Sequence, residues 1–152
     1  MNRYFHTIGF TLGLTAVIFL SSFNALFMTP NTEWFGALSK PYVNPTAHSL
    51  CWLVSYLITA WTIGEFVINK QLWKLSFLPA GFIALNVLWC FLFFRLHELI
   101  SSCAVFVMII ATQSIILYTV TKRTKTVCFG ALVNLLWYCY LFGIFIMVMV
   151  LN

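Results

Sequence analysis

LSFLPAGFIALNVLWCFLFF, residues 75–94, runs twenty positions without an Asp, Glu, Lys, Arg or His. About 20 apolar residues in a helix cross the roughly 30 Å hydrocarbon core of a bilayer. Working outward from this stretch, four more segments of that kind appear: residues 8–28, 49–68, 99–120 and 127–151. The whole chain shares the bias. Hydrophobic residues make up 62% of its 152 positions and charged residues 7%, with a mean hydropathy of +0.99. An ordinary soluble domain is near a quarter charged, so the solvent for most of this chain is expected to be lipid. There, only helices and closed barrels satisfy the backbone. Barrel strands alternate polar and apolar residues over about ten positions. These runs are continuous, so the reading is an all-α membrane protein, a bundle of five transmembrane helices in one domain over residues 1–152.

The links between spans are short, 69–74, 95–98 and 121–126, which predicts sequential antiparallel neighbours. Only the loop over 29–48 is long. The apolar stretch at 8–28 is too long for a signal peptide and has no clean small-x-small cleavage site. Basic residues fix an orientation. Arg3, Lys70, Lys74, Lys122, Arg123 and Lys125 fall on one side, and Lys40 and Arg95 on the other. The excess of bases on cytoplasmic loops places the N-terminus in the cytoplasm. The net charge of +5 is thus topological, matched to anionic headgroups, and implies no nucleic-acid partner.

Little here suggests catalysis. Five cysteines without a CxxC, namely Cys51, Cys90, Cys103, Cys128 and Cys139, read as apolar packing residues. No nucleophile–base pair, paired carboxylate or Gly-rich phosphate loop occurs. Glu65 and Glu98 sit near span ends. The chain is expected to be no enzyme, to hold no structural metal and to require no cofactor. His6, His48 and His97 read as interfacial histidines, with His48 or His97 the alternative of a haem ligand.

The aromatics are informative. Of six tryptophans, Trp34, Trp61 and Trp73 fit headgroup belts, but Trp89 and Trp137 lie deep in spans. Asn86, Trp89 and Phe93 share one helix face at i, i+3 and i+7; Asn134, Trp137 and Leu141 repeat it. Such faces serve as interhelical hydrogen-bond glue, the reading pattern alone favours, or as walls of a flat apolar pocket. Trp52 and Tyr56 share a face at i and i+4. The loop WFGALSKPYVNP, residues 34–45, is stiffened by Pro41 and Pro45, because proline fixes φ. A stiff aromatic loop at a bundle mouth makes a lid.

These residues resemble the TspO/MBR family, the tryptophan-rich sensory proteins that include the mitochondrial translocator protein. Trp34, Leu38, Lys40, Pro41 and Pro45 match its W-x-x-x-L-x-K-P-x-x-x-P loop signature. Trp52 and Tyr56 match W-x-x-L-Y, with Ser55 where Leu is usual. Leu85, Asn86, Trp89, Phe93 and Phe94 match L-N-x-x-W-x-x-x-F-F. Trp137 matches the tryptophan of P-Y-x-x-W, and Asn152 falls where asparagine is frequent. Departures are Val133-Asn134 for Pro-Tyr, Ile144-Phe145 for a later Leu-Asn, Thr46 for the second loop proline, Val43 for a tryptophan, and a short stretch from Pro45 to Trp52. The conventional cholesterol pattern, Leu/Val then Tyr then Lys/Arg, has no match.

The resemblance implies a five-helix bundle that binds flat hydrophobic ligands beneath the first loop, protoporphyrin IX or haem above all, with sterols or isoquinolines in some members. Trp52, Tyr56, Asn86, Trp89, Phe93 and Trp137 would line the pocket. Trp34, Lys40, Pro41, Tyr42 and Pro45 would form the lid, Lys40 facing a propionate. It also implies a sensor or carrier, with a homodimer possible. Light-dependent porphyrin degradation or a regulatory membrane subunit is the alternative. The short tails favour a bacterial cell membrane over the mitochondrial outer membrane.

Overall fold

A computed structural model describes residues 8–11, 13–15, 17, 18, 32–42, 44–121 and 125–152. The helical elements are α1 (Thr32–Ala37), α2 (Pro45–Ile68), a 3₁₀ turn (Trp73–Leu75), α3 (Phe77–Cys90), a π-helical turn (Phe91–Arg95), α4 (Leu99–Thr121) and α5 (Lys125–Leu151). No strand occurs among the described residues. Among the described residues, four segments are long and apolar enough to cross a membrane: Thr46–Ile68, Trp73–Arg95, Leu99–Thr121 and Val127–Leu151. The chain is an all-α, multi-pass membrane protein. Of the first expected span, 8–28, the described positions up to residue 18 are helical. Positions 19–28, with Ser21 and Ser22, lie outside the described residues, as do the basic residues Arg3, Lys122 and Arg123 and the histidine His6.

The expected loop over 29–48 is partly helical. Residues 32–37 form α1, and α2 begins at Pro45. The cause is local. The Asn44 side chain accepts from the N–H groups of Thr46 and Ala47, both at 3.1 Å. Pro45 then stands at the first helical position, where its missing N–H costs nothing. The third span does not end as a regular helix. Its last turn widens to a π-helix over Phe91–Arg95, closed by Leu96 donating to the Phe91 carbonyl at 3.1 Å and by His97 at φ 58°. Phe93 and Phe94 are both buried there.

Sequential packing holds on one side only. α3 packs against α4, and α4 against α5, but α2 packs mainly against α5 and meets α3 at few points. Polar side chains explain the choice, because in lipid a buried polar group seeks its partner on a neighbouring helix. Ser55 of α2 donates to Asn134 Oδ1 of α5. Asn134 Nδ2 donates to Thr59 Oγ1 at 3.1 Å. All three are buried. Tyr138 OH of α5 donates to Asn86 Oδ1 of α3 at 3.0 Å, and Gln113 of α4 donates to the Ala131 carbonyl of α5 at 3.2 Å. α5 is thus hydrogen-bonded to each of the other three long helices.

The N-terminal helical stretch docks on α2 through small residues. Gly9 and Gly13 face Ala60 and Gly64 so closely that a Cβ on Gly13 would run into the Ala60 backbone carbonyl. A Cβ on Gly64 would meet the Gly9 carbonyl at 3.1 Å. Val17, Ala60 and Ile63 close the contact as a small buried cluster. This is the small-xxx-small packing expected where lipid offers no hydrophobic driving force between helices.

Candidate functional site

The sparse contact between α2 and α3 leaves a cavity of about 520 Å³. Small-molecule sites run from about 300 to 1,000 Å³. Trp52 and Tyr56 reach it from α2. From α3 come Asn86, Trp89 and Cys90, and from the π turn Phe93 and Phe94. Phe106 comes from α4, and Leu141, Ile144, Phe145 and Val148 from α5. Phe35, Lys40 and Pro41 lie over one end, where His48 and Ser49 of the first turns of α2 join them.

The aromatic wall is a continuous packing unit. Trp89 and Phe93 stack at 5.3 Å between ring centroids with planes 8° apart. Trp89 also meets Phe106 edge-on at 5.4 Å, and Phe93 meets Phe145 at 5.3 Å. On the opposite side Trp52 and Tyr56 lie 5.4 Å apart. Aromatic pairs in these geometries add about 0.5–1.5 kcal/mol each beyond their buried area.

The loop is held by its own contacts. Lys40 Nζ donates to the Phe35 carbonyl at 2.6 Å and lies 4.4 Å from the centroid of the Phe35 ring. Trp34 stacks on His97 at 4.1 Å and meets Phe93 edge-on at 5.3 Å. At the end of α5, Asn152 clasps the loop backbone. The Ser39 N–H donates to Asn152 Oδ1 at 3.0 Å, and Asn152 Nδ2 donates to the Ser39 carbonyl at 2.9 Å. That Nδ2 also caps the Val148 carbonyl at 2.8 Å, tying the loop to a helix that forms the cavity wall.

Of the residues expected in the site, Lys40, Pro41, Trp52, Tyr56, Asn86, Trp89 and Phe93 come together around this cavity. Trp34 does not line it; it braces Phe93 from behind. Tyr42 is 89% exposed and points away. Pro45 stands at the first position of α2. Trp137 is the main correction. It is outside the cavity, packed against His48 at 5.3 Å, Trp52 at 5.9 Å and Tyr140 at 5.4 Å. Asn134 is committed to Ser55 and Thr59 of α2, which turns the Asn134–Trp137 face toward that helix. The repeated Asn-x-x-Trp element therefore plays two roles, a cavity wall on α3 and helix-to-helix glue on α5.

The wall from α5 consists instead of Leu141, Ile144, Phe145 and Val148. All four side chains are apolar, so this wall is apolar. Sequence reasoning also missed Phe35, Ser49, Cys90, Phe94 and Phe106, and it placed His48 at an interface. No group of three or more metal-ligating side chains occurs among the described residues. The sequence matches no protein-family model and no curated protein, so the cavity itself carries the functional reading.

Proposed function

We propose that this chain is a five-span membrane protein of the TspO/MBR kind whose cavity binds a flat hydrophobic ligand, a tetrapyrrole such as protoporphyrin IX or haem, as a sensor or carrier without catalytic turnover. The observation that carries the reading is the cavity of about 520 Å³, walled by Trp52, Trp89, Phe93, Phe106 and Phe145 and roofed by Phe35, Lys40 and Pro41. Flat aromatic faces favour a planar ligand, and the roof supplies a cation at one end. The helical residues between 8 and 18, docked on α2 through Gly9 and Gly13, support a fifth span. The six-to-two division of basic residues supports a cytoplasmic N-terminus, in a bacterial cell membrane.

The test is titration of protoporphyrin IX against the purified full-length chain in lipid nanodiscs, followed by quenching of tryptophan emission. The expected result is saturable one-to-one binding in the micromolar range. Ile144→Trp, which pushes an indole into the cavity from the α5 wall, should abolish binding while the protein still melts cooperatively. Equal binding by the wild type and this variant would place the ligand elsewhere and refute the proposal.

A further inference from the structure

The far end of α2 holds a second, smaller cavity. Phe10 of the N-terminal stretch and Trp61, Gly64, Glu65 and Ile68 of α2 line about 220 Å³. Gly9 and Gly64 meet beside it, so the groove follows a close helix crossing. Of the chain's three acidic residues, only Glu65 lies within a membrane-crossing segment. An ionisable side chain there is costly and marks a site with a partner. Its place in the helix adds to the cost. Glu65 is in the last turn of α2, where the helix dipole favours a cation, and that turn holds no basic residue. No hydrogen bond or ion pair reaches its carboxylate among the described residues, and the side chain is only partly buried.

The surface leading to Glu65 is apolar. Leu50, Val54, Leu57 and Trp61 follow at i, i+4, i+7 and i+11, one helix face, and all four are exposed. Glu65 comes next on that face. The lipid-facing stripe of α2 therefore ends on a carboxylate flanked by the rings of Trp61 and Phe10. Just past the helix, Lys70 and Lys74 are exposed. Apolar stripe, anion and cations together complement an acyl chain, an ammonium and a phosphate.

We propose that this groove is a phospholipid site, with Glu65 accepting from the ammonium of an ethanolamine headgroup, Trp61 and Phe10 flanking that cation, and Lys70 and Lys74 facing its phosphate. Drug-sized ligands take about 300–1,000 Å³, so this smaller groove suits a headgroup. A carboxylate only accepts. A primary ammonium offers it three N–H donors and a choline none, and charge-assisted hydrogen bonds are the strong ones. The site is separate from the aromatic cavity: from His48 to Glu65 the helix rises roughly 25 Å.

The experiment is native mass spectrometry of the full chain in detergent with equimolar dioleoyl phosphatidylethanolamine and dioleoyl phosphatidylcholine. The wild type should retain one ethanolamine lipid about fivefold more often than a choline lipid. In Glu65→Gln the ratio should fall to about one, and in Glu65→Asp part of it should survive. Glu65→Gln removes an acid from a helix C-terminus, so it should fold at least as well as the wild type. Melting gives a second readout: added ethanolamine lipid should raise the Tm of the wild type and not that of Glu65→Gln. A ratio near one in the wild type, or a preference for the choline lipid, overturns the inference. So does an ethanolamine preference that Glu65→Gln retains, the outcome if a basic side chain of this chain already fills the groove. The tetrapyrrole reading stands or falls separately.

Discussion

Replacing Trp89 with alanine should weaken protoporphyrin binding about a hundredfold, whereas replacing Trp137 with phenylalanine should change it less than about twofold. Both tryptophans occupy the same place in an Asn-x-x-Trp element, so the pattern alone treats them alike. The structure separates them. Trp89 is in the cavity wall, and Trp137 is behind Trp52 and His48. A large aromatic surface lost from the ligand contact is worth about 2–3 kcal/mol, and each 1.4 kcal/mol is tenfold in affinity. Trp89→Ala also removes packing against Phe93, Phe106 and Phe145, with an expected stability loss of about 3–5 kcal/mol. Trp89→Phe is therefore the companion variant. It keeps a ring in the stack and should lose about five- to tenfold in affinity with a smaller stability cost. Titrations of the four proteins check the ordering. Equal losses at positions 89 and 137 would mean that the α5 face is turned inward after all.

Gly13→Leu should destabilise the protein by about 3 kcal/mol, while Gly143→Leu should cost less than about 0.5 kcal/mol. Both are glycines in apolar helices, and their surroundings are opposite. A Cβ on Gly13 collides with the backbone of Ala60, which has no rotamer with which to yield. A Cβ on Gly143 meets nothing within 4 Å. Relief at position 13 requires the N-terminal stretch to move away from α2, which opens the cluster of Val17, Ala60 and Ile63. Unfolding by a graded denaturing detergent, compared across the two variants, measures the difference. Equal stability of the two would mean that the N-terminal helix does not dock on α2 through its glycines.

How far the sequence speaks differs from helix to helix. The spans at 99–120 and 127–151 lie within two residues of α4 and α5, because long apolar runs between short polar links leave few alternatives. The inward face of α3 was also legible, since Asn86 is polar in the middle of a span and needs a partner. It finds one in Tyr138. The face of α5 was not legible. Apolar residues surround that helix on every side, so no periodicity marks its inner stripe, and its one side-chain amide, Asn134, could have pointed to any neighbour. Its partners Ser55 and Thr59 lie 79 and 75 residues away.

The start of α2 was misjudged for a simpler reason. In the sequence Pro45 counts as a stiffener of the loop, but an asparagine followed by proline is also a cap and first helical residue. Starting the helix four residues early brings His48 into its first turn, one helical turn before Trp52. That spacing permits the hydrogen bond between their rings and takes His48 from the expected interface into the cavity.

The central claim is that the ligand sits between α2, α3 and α5 beneath the loop. The structure of the full chain determined with protoporphyrin IX bound tests it most directly. The account predicts macrocycle density against Trp89 and Phe93, enclosed by Trp52, Ile144 and Phe145, with a carboxylate at the Lys40 end. Density on the outer face of the bundle, beside the exposed Trp61 or Trp73, with the cavity empty, would contradict it.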